Sequence, residues 1–109
     1  MSDYNLKDLG TANPGNSLTL LYSPSGVQAV GNLKVANASA ASRMFTVAII
    51  PNGATILTSH YIAYNTPLLP NQPGENGGIC LQSGDAIWVS GSTTDVTFNF
   101  LGQESPTGG

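Results

Sequence analysis

Hydrophobic residues recur along this chain with a period of two. Leu18, Leu20 and Tyr22 alternate with Thr19, Leu21 and Ser23, and Ser23-Pro24-Ser25-Gly26 then makes a turn. Residues 27–37 read as a long strand, with Leu33 and Val35 set against Asn32, Lys34 and Ala36. Residues 38–42 are small and polar. Asn37, Ser39 and Ser42 favour a loop there over a helical turn, because their side chains compete for backbone hydrogen bonds. Phe45, Val47 and Ile49 alternate with Thr46, Ala48 and Ile50 until Pro51-Asn52-Gly53 stops the strand. Proline cannot donate to a ladder, and Asn-Gly accepts the positive φ of a tight turn. Residues 56–59 are ambiguous. Residues 60–65 form a strand with Tyr61, Ala63 and Asn65 on one face and His60, Ile62 and Tyr64 on the other. Residues 71–78, with Pro73-Gly74 and Gly77-Gly78, read as a long loop, and residues 79–81 as a short strand. Ser83-Gly84-Asp85 turns into residues 86–89. After a second turn at 91–94, Val96, Phe98 and Phe100 alternate with Thr97, Asn99 and Leu101 and close the domain before Gly102.

Seven or eight short strands spaced roughly every 8–12 residues, each bounded by turn chemistry, predict an all-β protein. The expected architecture is a single β-sandwich, jelly-roll-like, of antiparallel strands over residues 18–104. Residues 1–17 carry the breakers Gly10, Asn13-Pro14-Gly15 and Asn16 and are expected to form an extended N-terminal arm. Residues 105–109 are expected to be a flexible C-terminal tail. No repeat of 20–50 residues is present.

Composition narrows the function more than the fold. At 109 residues the chain is one domain. Only nine residues are charged, the net charge is −3, and Ser, Thr and Asn together number 31. Coiled coils and charge-rich disordered tails need far more Glu, Lys or Arg. Three basic residues leave no electrostatic footprint for nucleic acid or anionic lipid. No apolar run approaches the ~20 residues of a membrane span. The start, Met-Ser-Asp-Tyr-Asn, lacks the basic and apolar regions of a signal peptide, so the chain is not expected to be secreted.

Candidate chemistry is sparse. The lone Cys80 cannot form an intramolecular disulfide, and within Ile79-Cys80-Leu81 it reads as a small buried hydrophobe. A Cys80–His60 nucleophile pair would need the two to meet and a third group to orient the base. One histidine and one cysteine fall short of a metal set without carboxylates. Asp3, Asp8, Glu75, Asp85, Asp95 and Glu104 are scattered, mostly beside Gly, Ser or Thr, as turn and edge residues are. No catalytic, cofactor-binding or metal residue is assigned, and no enzyme is expected.

Several segments, taken in order, carry a resemblance. They are Leu20-Leu21-Tyr22 before Pro24-Ser25-Gly26, the strand end Leu33-Lys34-Val35-Ala36-Asn37, and Phe45-Thr46-Val47-Ala48-Ile49 before Pro51-Asn52-Gly53. His60-Tyr61-Ile62-Ala63-Tyr64 before Pro67-Leu68 follows, then Ile79-Cys80-Leu81 before Gly84-Asp85-Ala86-Ile87-Trp88-Val89. Last come Val96-Thr97-Phe98-Asn99 and Gly102-Gln103-Glu104. Over about residues 18–104 this ordered set resembles small virion proteins of tailed bacteriophages. The turn reads Pro-Ser-Gly where the family pattern has Pro-Ala-Gly, and residues 71–78 are longer than the family's usual connection. The resemblance implies a non-enzymatic structural protein of the virion, assembled in the host cytoplasm, with the head and the tail both open as its location.

Three functions follow as expectations. The first is a capsid decoration or cement protein bound to the major capsid protein or other virion proteins, as a homo-oligomer with a trimer favoured. The second is a tail, baseplate or fibre component. The third is a glycan-binding β-sandwich that uses exposed aromatics. Six residues are candidate interface anchors: Tyr4, Leu6 and Leu9 in the arm, Arg43, Tyr61 and Trp88. Trp88 is out of phase with Ile87 and Val89, so it faces outward if they face inward. Arg43 either reaches an acidic edge on a neighbour or solvates the start of its strand. The aromatic alternative is that Tyr64, Phe45, Trp88, Phe98 and Phe100 simply fill the core. For the arm, the alternative is packing on its own domain.

Overall fold

A computed structural model describes residues 7–55, 60–70 and 73–106. They form eight strands: β1 (Lys7–Ala12), β2 (Thr19–Tyr22), β3 (Val27–Asn37), β4 (Arg43–Ile50), β5 (Tyr61–Leu68), β6 (Pro73–Leu81), β7 (Ala86–Gly91) and β8 (Val96–Pro106). All pairings are antiparallel. Sheet A has the order β1-β8-β3-β6, and sheet B the order β2-β7-β4-β5. First pairs with last, second with seventh, third with sixth and fourth with fifth. The chain is thus a long hairpin rolled on itself into a jelly-roll-like β-sandwich.

Strict alternation in β3 explains why it runs through the middle of sheet A. Ala29, Leu33, Val35 and Asn37 are buried, and Val30, Asn32, Lys34 and Ala36 are exposed. Its inward residues meet Phe98, Phe100 and Val96 of β8, Ile79 and Leu81 of β6, and Phe45, Val47, Ile87 and Val89 of sheet B. Fully burying side chains of this size contributes about 1.5–3 kcal/mol each. Phe45 and Phe98 meet edge to face at 6.4 Å between ring centroids.

Asn37, a polar residue, is almost wholly enclosed at the end of this core. Its Nδ2 donates to the carbonyls of Ala41, Leu68 and Leu69, at 2.8–3.2 Å, and its Oδ1 accepts from the backbone N–H and the hydroxyl of Ser39. One side chain therefore ties the β3–β4 connection to the end of β5.

Several expectations are corrected. Residues 7–12, placed in an extended arm, are a strand paired with β8. Leu9 is half-buried and packs against this molecule's own core, and Gly10 explains how β1 fits. A Cβ there would lie 2.5 Å from the Leu21 carbonyl oxygen, so only glycine allows the two sheets to approach. The breakers at 13–16 make the turn from β1 to β2. Residues 73–78, read as loop, belong to β6, which pairs with β3 from Ala36↔Pro73 to Ala29↔Leu81. As the edge of sheet A, β6 can begin with a proline, because nothing beyond it needs the missing N–H. Cys80 is exposed, standing opposite Val30 on the outer surface. In β2 alternation puts Leu21 in the core and Leu20 outside opposite Trp88, and a register shift after Leu20 brings Tyr22 opposite the buried Ile87 and against the core. At the other end, β8 continues through Ser105 and Pro106, two residues into the expected tail.

Candidate interaction surface

The outer face of sheet B is assembled by β7. Ile87 and Val89 are fully buried, so Ala86, Trp88 and Ser90 must point away from the core. In register across the sheet, Leu20 lies opposite Trp88, Trp88 opposite Ala48, and Ala48 opposite Tyr61. Directly opposed residues share a face. Ala48 is on the outer face and yet 0% exposed, because larger side chains flank it on both sides. Ile50 and Ala86 form the next row, and Thr46 and Ser90 the row on the other side.

Strand β5 completes this face in a way the alternation does not foretell. Register shifts fall between the partners of Phe45 and Val47 and again between those of Val47 and Ala48. The first places Asn65 in the left-handed region, at φ 45°, a conformation asparagine tolerates better than most residues. Its N–H donates to the Thr46 hydroxyl at 3.0 Å, which gives that buried side chain a partner. The second shift lets Ala63 pack on the core while Tyr61 stands opposite Ala48. Tyr61 and Tyr64, expected on opposite faces, come together edge to face at 4.9 Å. Tyr64 is 64% exposed and does not fill the core.

Two grooves mark the face. One, of about 440 Å³, is lined by Leu18, Ile50, Pro51, Ala86 and Trp88, with the backbone turn at 53–54 on its rim. The nearest acid, Asp85, is committed to the turns, accepting from the Asn52 and Gln82 N–H groups at 3.0 and 2.9 Å. The other, of about 360 Å³, is polar and is lined by Asn16, Met44, Thr46, Asn65, Ser90 and Ser92. The Trp88 groove lacks the clustered Asn, Asp or Gln side chains that a sugar site would need beside its aromatic.

The sequence candidates thus separate. Tyr61 and Trp88 share the outer face of sheet B. Arg43, at the start of β4, pairs with Asp95 of its own chain at 3.2 Å, while its Nε is buried without a partner. Leu9 packs against the core. Tyr4 and Leu6 lie outside the described residues. Sequence reasoning missed Ala48, Asn65 and Leu20, whose roles depend on register.

On the opposite side of the core, the Tyr22 ring lies 5.5 Å from that of Phe100, and its hydroxyl donates to Glu104. Burial, reinforced by that hydrogen bond and the carboxylate's charge, pushes the phenol well above its usual range. The pair ties β2 of sheet B to β8 of sheet A. Among the described residues, no three His, Cys, Asp or Glu side chains gather as a metal would require, and no helix is long and apolar enough to cross a membrane. No family model matches the chain, and neither a curated protein nor a solved structure does.

Proposed function

We propose that this chain is a non-enzymatic bacteriophage virion protein, a capsid decoration or cement protein working through protein–protein contacts. The observation that supports the reading best is the outer face of sheet B, where Trp88, Tyr61, Tyr64 and Leu20 are presented without an accompanying charge. Exposed aromatic and apolar side chains grouped on one face mark contact surfaces. The mechanism is linkage: a protein that binds only the assembled shell stabilises it by mass action. The partners are the major capsid protein or other virion proteins, and the copies on the particle associate with one another. A tail or baseplate position would use the same fold and surface.

Quantitative mass spectrometry of purified particles tests the reading. Copy numbers comparable to the major shell protein are expected for a decoration or cement protein. A small fraction of that abundance would move the protein to the tail. Absence from particles would overturn the virion reading.

A further inference from the structure

The charged residues are divided unevenly between the sheets. Strands β2, β5 and β7 contain no Asp, Glu, Lys or Arg, and β4 contains only Arg43, which is engaged with Asp95. Sheet A carries Lys7, Asp8, Lys34, Glu75 and Glu104 in its strands. From these observations we propose that the outer face of sheet B is a self-association surface, and that its occupant is the same face of a second copy, related by a two-fold axis.

Charge selects this occupant. Stacking sheet B on the outer face of sheet A would take the exposed Asp8 and Lys34 out of water with no charge opposite them, a costly desolvation. Stacking sheet B on sheet B desolvates no charged strand residue. Shape selects it as well. The face carries projecting side chains, Tyr64, Met44 and Leu20, and the apolar groove beside Trp88. A two-fold axis presents the same patch from both copies, so the projections of each are available to the recess of the other. A mismatched, head-to-tail stack would instead leave an open filament end. The molecule measures 46 × 33 × 17 Å, and its broad face has room for the ~800 Å² per partner that a stable interface buries. A pair, rather than the trimer expected from the sequence, follows from a single self-complementary face. The inference assigns the face that supports the virion reading to contacts between copies of this chain, and the two are tested separately, because copy number on a particle and self-association in solution are separate measurements.

Trp88 is the only tryptophan and sits in the middle of the face, so it reports the contact directly. Sedimentation equilibrium and tryptophan emission are measured over a dilution series of the whole chain. A dimer is expected, with emission moving to longer wavelength and acrylamide quenching rising as it dissociates. Tyr64→Lys and Leu20→Lys change exposed positions of this face. Each is expected to weaken the dimer by about 100-fold, since an ammonium would be buried without a partner. Val30→Lys makes the same chemical change on the outer face of sheet A and is expected to leave association unchanged. Circular dichroism melts show that the variants compared are folded. A monomer up to about 100 μM would overturn the proposal, since that affinity is weaker than specific interfaces provide. So would a trimer, or a loss of association in Val30→Lys equal to that in Tyr64→Lys.

Discussion

The two outer faces of the sandwich are built on the same core by the same alternation, and they differ in what they present. Sheet A shows Asp8, Asn32 and Lys34 to water. Sheet B shows Leu20, Met44 and Tyr64, with Trp88 and Tyr61 half-buried among them. A solvated antiparallel face normally alternates to polar residues, as the middle of β3 does at Asn32 and Lys34, although Val30 is exposed near its start. The outward positions of β4 and β7 are mostly apolar, Met44, Ala48, Ile50, Ala86 and Trp88, with Thr46 and Ser90 the polar row. Folding needs only the inward half of each strand to be apolar, so the excess on sheet B is not required by the core. Register shifts mark the edges of both sheets: two lie against β5 and one in β2 of sheet B, and one each at β1 and β6 of sheet A. Bulges at an edge twist it away from further strand pairing, and so direct association to the face.

This contrast can be broken or sharpened by substitution. Phe98→Ala empties the shared core and should cost about 3–5 kcal/mol in a urea melt, lowering the stability under both faces together. Asn37→Ala should cost about 2–3 kcal/mol, because the carbonyls of Ala41, Leu68 and Leu69 lose their donor. A loss comparable to that of an exposed asparagine would remove its role as a tie between the loops. On the faces themselves, Trp88→Ala uncovers Ala48 and should cost about 1–2 kcal/mol, whereas Lys34→Ala should stay within about 0.5 kcal/mol. Equal effects would show that the faces do not differ in the way argued. Asn65→Ala should cost about 1 kcal/mol and Asn65→Gly much less, since only the backbone conformation is at issue.

The smallest effect is one of pH. The Tyr22 phenol titrates higher in the folded state than in the unfolded chain, so its contribution is complete below about pH 10. Above that the unfolded chain gains stability by ionising, and the contribution is lost as pH rises. Denaturant midpoints measured from pH 8 upward should therefore begin to fall near pH 10, and Tyr22→Phe should flatten the fall.

Much of the fold was legible in the chain. The alternation in residues 27–37, 43–50 and 96–101 located three strands, because each has one face in the core and the period of two follows from that. The outward turn of Trp88 was legible for the same reason. Of β6 only residues 79–81 were, since Ile79 and Leu81 enter the core, whereas the Gly- and Pro-rich stretch 73–78 is held by pairing with β3's backbone. Strand β1 was hidden likewise, because its place depends on Gly10 passing close to Leu21.

The pairing of Tyr61 with Tyr64 and the seating of Ala48 between Trp88 and Tyr61 belong to the tertiary structure alone. By itself the sequence determined an all-β chain, a low charge and the residues that fill the core, since these depend on local period and composition. Register shifts, strand order and the gathering of uncharged residues on one face are properties of pairing between segments far apart in the chain. A one-residue slip reverses which side chains face outward, so only the folded sandwich could decide them.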